Sequence, residues 1–382
     1  MASPRVPYLF DPDRVREVLA TFPALAAELR PEGEGVVAEA FTGIRKSERQ
    51  LYRVLGNTHY DHLVELLEAL DSCMASGYKQ PRLLRTRARS SFAPDLAELR
   101  VVEHFVLGGC EIAGFDDSKA NSSVPDLLAT TSAGLRVAVE VYCPMAFEHL
   151  ERFRDELVSG IKNIDLPFDF LFRLSFEQLN QFDERHRLLY LRAGPLDEAL
   201  GHGGRGGMIV GELLAELAHQ LDVPQQGLSI VREEPDMNLR LVIELEGVDR
   251  THEGLPARAG VIRGPNTSPP NPEWVFARIA ERAEGKAAEG QALHVDADAS
   301  MLVVDLTESD LPSELRNEIY RKKFREILEP RADAALHGHT AIVYAESAGW
   351  HEPFIPWFLN TARKATPELF ERIDPRGIYP RP

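Results

Sequence analysis

Lysine is scarce in this chain: eight residues of 382, against 35 arginines. Any site that needs an ammonium group has few to draw on. Cysteine is scarcer still, and Cys73, Cys110 and Cys143 lie far apart with no CxxC pair. That spacing excludes a disulfide framework and a thiolate zinc site, and the expected compartment is a reducing one. No apolar run approaches the ~18–20 residues of a membrane span, and Met1-Ala-Ser-Pro-Arg-Val-Pro7 has no apolar signal core. The expectation is a soluble cytoplasmic protein with no membrane partner. Positive charge is also in deficit, 43 basic against 60 acidic side chains for a net −17. Such a balance argues against a non-specific nucleic-acid coat, but an acidic exterior can still surround a local basic groove. No internal repeat is present, which sets solenoids aside.

The length predicts two or three domains at ~150 residues each. Residues 1–80 read as a helical N-terminal region, with Val15, Val18, Leu19 and Phe22 and later Leu63, Leu66, Leu67 and Leu70 at helical spacing. An arginine-rich connector follows, carrying Arg82, Arg85, Arg87 and Arg89. From 81 to 180 the period changes repeatedly. A helix is expected over Asp95–Leu107, ended by Gly108-Gly109, then strands over Cys110–Phe115, Val124–Thr130 and Leu135–Tyr142. An amphipathic helix over Ala146–Ile164 and a strand over Phe168–Leu174 complete that unit. Residues 181–382 read as an α/β extension, with strands near 228–232, 239–245, 301–306 and 340–344 and helices over 272–292 and 311–328. The glycine-rich segments 201–207 and 264–272 are expected to be loops.

The chemistry concentrates in two adjacent strands. Pro125-Asp126 opens the second, and Glu140 sits inside Val137-Ala-Val-Glu-Val-Tyr-Cys143. A carboxylate within a run of valines is costly unless a partner or a metal satisfies it. Strand alternation puts Arg136, Ala138, Glu140 and Tyr142 on one face and Val137, Val139 and Val141 on the other. Two carboxylates on paired strands suit a hard divalent cation such as Mg²⁺ or Mn²⁺. On the preceding helix, Glu98 falls among Val101, Val102 and Phe105, with Arg100 and His104 on the polar side. Glu98 is therefore expected to point inward, toward Asp126 and Glu140, and Glu103 replaces it if the register is shifted.

The order helix with Glu98, strand, strand with Pro125-Asp126, strand with Glu140, helix, strand resembles the PD-(D/E)XK nuclease superfamily, over roughly residues 90–175. The resemblance implies a restriction-endonuclease-like α/β core, a mixed sheet flanked by helices. It also implies Mg²⁺- or Mn²⁺-dependent cleavage of DNA or RNA. Carried over, Asp126 and Glu140 would ligate the metal with the Val141 carbonyl as a third donor, and Glu98 would assist. Arg82, Arg85, Arg87 and Arg89 would contact phosphates. The sequence departs from the pattern at one position, where Tyr142 stands in place of the lysine two residues after the acid. A phenol with a pKa near ~10 is a poor substitute for an ammonium. Lys162, Lys119 and Arg136 offer no persuasive replacement, so the competing expectation is a nuclease fold that has lost catalysis and binds nucleic acid or assembles. Lys286 and Gln291 receive no role. The pairs His59/His62 and His337/His339 are read as incidental.

Overall fold

The computed structural model describes residues 21–24, 60–78, 92–114, 125–164, 169–179, 193–220, 227–248, 260–263, 271–307, 309, 311, 315–349 and 351–362. In chain order its main elements are α1 (Tyr60–Ala75), α2 (Phe92–Leu107), β1 (Glu111–Gly114), β2 (Leu127–Thr130), β3 (Arg136–Tyr142), α3 (Glu148–Asn163), β4 (Asp169–Gln178), α4 (Ala193–Gly201), α5 (Arg205–Gln220), β5 (Gly227–Glu234), β6 (Leu239–Val248), β7 (Gly260–Arg263), α6 (Pro272–Glu289), β8 (Ala299–Asp305), α7 (Glu318–Leu328), β9 (Ala341–Ser347) and β10 (Phe354–Thr361). They fall into two units, residues 1–146 with 276–382, and residues 147–275. The helix of Glu98 and the three strands expected after it are all present.

The first unit holds a mixed sheet in the order β1-β2-β3-β8-β9-β10. β1, β2 and β3 form an antiparallel meander, turned between the last two by Gly134 N–H donating to the Thr131 carbonyl at 2.8 Å. β3, β8 and β9 run parallel, and β10 returns antiparallel to β9. All seven residues of β8 are buried, the pattern of a central parallel strand covered on both faces. On one face Val137, Val139, Met301, Val303 and Val343 pack with Leu96, Leu99, Val102 and Phe105 of α2. On the other, Ala138 and Leu128 meet Ala292.

Residues 81–180 do not form one unit. β4 lies in the second sheet, ordered β5-β6-β4-β7, and the strand beside β3 is β8, reached after α6. The central order is thus α2, β1, β2, β3, α6, β8, with residues 147–275, which end in the first turn of α6, inserted after β3. Both helix–strand pairs satisfy the same local pattern, and which strand joins β3 is a long-range pairing. β4 does differ in character. Phe170, Phe172, Leu174 and Phe176 are buried while Leu171, Arg173 and Glu177 are exposed, the alternation of a sheet covered on one face only. Phe176 meets Phe153 of α3 edge to face, with ring centroids 6.1 Å apart.

Three further expectations change. Residues 201–207 are not an extended loop: a kinked 3-10 turn at His202–Gly204, with Gly203 at φ +59°, joins α4 to α5. The helix expected from 311 begins only at Glu318, because the Asn317 side chain accepts from the N–H groups of Ile319 and Tyr320 and fixes the start there. And α2 has no polar side: residues 96–105 are buried without exception. Arg100 pairs with the buried Asp305 at 3.5 Å, and His104 lies edge-on to Phe354 at 5.3 Å. Helical periodicity alone could not reveal that a second layer covers the polar arc.

Past α1 the chain turns at Gly77, where φ is +99° and an added Cβ would stand 2.8 Å from the Ile112 carbonyl oxygen. Gly77→Ala is expected to cost about 1–3 kcal/mol. Urea unfolding measures this, and an unchanged midpoint would show that the turn accommodates the methyl group.

Candidate functional site

Glu140 is placed by its strand. β3 is held in register between β2 and β8, with Val139 opposite both Leu127 and Met301 and Glu140 beside Leu302. Continuing the β2–β3 register by one residue sets Asp126 opposite Glu140, and opposed residues of an antiparallel pair face the same side. Asp126 is half-buried, and its Oδ2 accepts from the Val141 N–H at 2.8 Å. The structure therefore brings Asp126 and Glu140 together.

Glu140 is completely buried, and neither carboxylate oxygen has a donor at full hydrogen-bond geometry. Two cation-forming side chains flank it. The Lys286 Nζ stands 3.7 Å from Oε1, and the His339 Nε2 stands 3.6 Å from Oε2. Lys286 also donates to Glu289 at 2.8 Å and Gln291 at 3.3 Å. Burial pushes the Glu140 carboxyl above its ordinary pKa, and the neighbouring Asp126 adds to that. The Lys286 ammonium and the backbone N–H groups of Ala292 and Gln291 pull the other way without overcoming it. Burial lowers the pKa of His339, which favours the neutral ring.

Lys286, Gln291 and Ala292 come from the end of α6 and the turn that follows it, and His339 from just before β9. Ala280, Ala283 and Ala287 are fully buried, so small side chains bring the helix close to its neighbours, and Lys286 shares that side one turn from Ala283. Gly290, with φ +64°, ends the helix and starts the 3-10 turn Gln291–His294. Arg282, one turn before Lys286, donates to the Met145 carbonyl beyond the end of β3.

Glu98 is not part of this group. It belongs to α2, which covers the Val137/Val139 face, while Glu140 shares the opposite face with Ala138. Glu98 is buried and accepts from the Tyr78 hydroxyl. Its substitute Glu103 is also buried on α2, 2.8 Å from the His351 Nδ1. Tyr142 is half-buried and lies on Glu140's face by strand alternation. Arg82, Arg85, Arg87, Arg89 and Lys119 lie outside the described residues, as does the Lys162 side chain. Arg136 is exposed and pairs with Asp296 at 3.4 Å.

Two contributors escaped the sequence reading. Lys286 had a detectable signal, one of eight lysines placed on the alanine-lined side of a helix. His339 had none beyond its place just before a buried strand.

As a metal centre the group is partial. Among the described residues no three His, Cys, Asp or Glu side chains converge on one point. Asp126 and Glu140 offer two carboxylates, and the nearest side-chain donors to Glu140, on Lys286 and His339, stand beyond hydrogen-bond distance. A hard cation held by these two carboxylates would have to take most of its shell from water. None of the helices among the described residues is long and apolar enough to cross a membrane. Comparison with known proteins finds no family model, no curated protein and no solved structure that matches the chain.

Proposed function

We propose that this protein is a divalent-metal-dependent nuclease that hydrolyses phosphodiester bonds of DNA or RNA, with Asp126 and Glu140 as metal ligands and Lys286 in the role the motif lysine would fill. The observation that carries the reading is the approach of Lys286 to Glu140, 3.7 Å from the carboxylate whose strand lacks its own lysine. An ammonium delivered from the following helix stands beside the same acid as one delivered two residues along β3. The order α2, β1, β2, β3, α6, β8 supports the restriction-endonuclease-like reading of the core, with residues 147–275 as an insertion.

The chemistry follows from the residues. A bound Mg²⁺ or Mn²⁺ would acidify a water and stabilise charge on the scissile phosphate. Asp126, fixed by the Val141 N–H, and Glu140 would hold it. Lys286 places a positive charge at the edge of the acid pair, where it can orient an attacking water and offset phosphate charge. The second reading, a binding module without catalysis, draws on the complete burial of Glu140. Plasmid nicking and labelled-RNA cleavage in Mn²⁺ separate the two. Cleavage that falls to the chelated background in Asp126→Ala supports the enzyme. Nucleic-acid binding without cleavage, unchanged by that substitution, supports the module.

A further inference from the structure

All three cations of α6 fall in one row. Arg278, Arg282 and Lys286 follow one another at four-residue spacing, so they form a single ridge that rises ~6 Å at each step. The acids of the helix are placed otherwise. Glu284 lies on the opposite side by helical period and pairs with Arg331 at 3.4 Å, while Glu281 and Glu289 are exposed. Lys286 starts the row 3.7 Å from Glu140, Arg282 donates to the Met145 carbonyl past the end of β3, and Arg278 stands one turn further out. The row therefore leads away from the Asp126–Glu140 pair along the carboxyl end of β3.

We infer that this ridge binds the phosphate backbone of a nucleic acid and leads one strand toward the Asp126–Glu140 pair. The inference rests on nucleic acid as the ligand, which both readings above share, and needs neither a metal nor turnover. In a chain of net −17, a row of cations at regular steps matches a polymer that carries a phosphate on every residue. What holds the cations now is readily exchanged. Arg278 donates to Glu281 at 3.4 Å and Lys286 to Glu289 at 2.8 Å, and these two acids keep 68% and 56% of their side chains exposed. Ion pairs so exposed contribute little, and a phosphate can take the place of the acid. Arg278 also keeps its Nε without an acceptor among the described residues. Gly285 lies beside the ridge, between Arg282 and Lys286 in sequence, where no described atom stands within 4 Å of an added Cβ. Glycine is a poor helix former and packing does not require it there, so the bare backbone leaves room for a ligand to lie close to the ridge.

The test is binding in chelator, read by fluorescence anisotropy of the full chain with a labelled oligonucleotide, single-stranded DNA and then RNA. Because Gly285 has room for a side chain, it accepts substitutions of either sign within the existing packing. Gly285→Glu is expected to weaken binding about 10-fold and Gly285→Arg to tighten it by a similar factor, with the salt dependence steeper by about 0.7 in the logarithmic slope, the share of one phosphate contact on a single strand. Arg278→Gln is expected to flatten that slope by the same amount. Circular dichroism checks the fold of all three, and both substitutions of Gly285 raise helix propensity. Binding that moves the same way with glutamate and arginine at 285, or that none of the three variants moves, overturns the assignment and leaves both functional readings standing. Polyglutamate that displaces the labelled strand as well as the unlabelled oligonucleotide does overturns it in favour of an acidic protein partner. Failure of the wild type to bind either oligonucleotide overturns it together with the nucleic-acid partner of both readings.

Discussion

Lys286→Gln is expected to slow phosphodiester cleavage about 10²–10⁴-fold, the span associated with loss of a positioned proton-handling or charge-stabilising group. Mn²⁺ binding should persist, because the ligands are elsewhere and a competing positive charge has been removed from Glu140. The split between turnover and metal affinity separates a catalytic lysine from a merely structural one. A structural lysine would leave the rate of the folded protein untouched. Stability moves too. Lys286 keeps only 18% of its side chain exposed and Glu140 keeps none, so the glutamine leaves a buried carboxylate without its nearest cation. Adding Glu140→Gln to the lysine variant removes that charge and is expected to recover stability without recovering activity. Cleavage rates, Mn²⁺ titration and urea unfolding on the four members of the cycle give the whole result. An unchanged rate in a folded Lys286→Gln protein would sink the proposed role.

Asp126 and Glu140 are legible in the sequence, and the reason is local. Asp126 and Glu140 stand out because a carboxylate next to or within a valine-rich strand conflicts with burial, and the conflict is visible in a window of seven residues. The same is true of the turn at Thr131–Gly134 and of the three-strand meander it helps to close. Lys286 and His339 come from 146 and 199 residues beyond Glu140, as their numbers show, and no local rule ties them to it. The insertion compounded the difficulty. Its own helix and strand, α3 and β4, fit the place that α6 and β8 occupy, and by local pattern alone the nearer pair belongs in the sheet. The unalternated Met301-Leu-Val-Val304 run was the better candidate on physical grounds, since a parallel central strand needs both faces apolar. Glu98 shows the converse error. It was rightly expected to be buried, yet burial does not say against what, and its partner is Tyr78 on the other face of the sheet. The ammonium beside Glu140 comes from α6 and not from β3, where the proposed nuclease reading would look for it.

Glu140→Gln is expected to abolish cleavage and, in chelator, to make the protein more stable than the wild type at neutral and alkaline pH. Burial raises the pKa of Glu140, so the folded state holds its proton more tightly than the unfolded chain does. Stability from that tighter hold is complete below the unfolded pKa of ~4.3 and is lost as pH rises through the higher folded value. Above that range the wild type keeps an uncompensated part of a buried charge, which the amide removes. The gain is on the order of 1–3 kcal/mol, the usual cost of a buried polar group that is not fully satisfied. Adding Mn²⁺ reverses the ranking. The wild type gains RT ln(1 + [L]/Kd) from an ion it binds only when folded, about 2.7 kcal/mol at a hundredfold excess over Kd, and the glutamine variant gains little. Thermal or urea unfolding at pH 5 and pH 8, with and without Mn²⁺, reads out both signs. A glutamine variant less stable than the wild type at pH 8 in chelator would mean that Lys286 and His339 hold Glu140 as a structural ion pair. The cost of burying that carboxylate would then be met within the fold, and the binding-module reading would gain over the enzyme. A crossover on adding Mn²⁺ identifies Glu140 as a residue whose burial is unfavourable until the cation arrives.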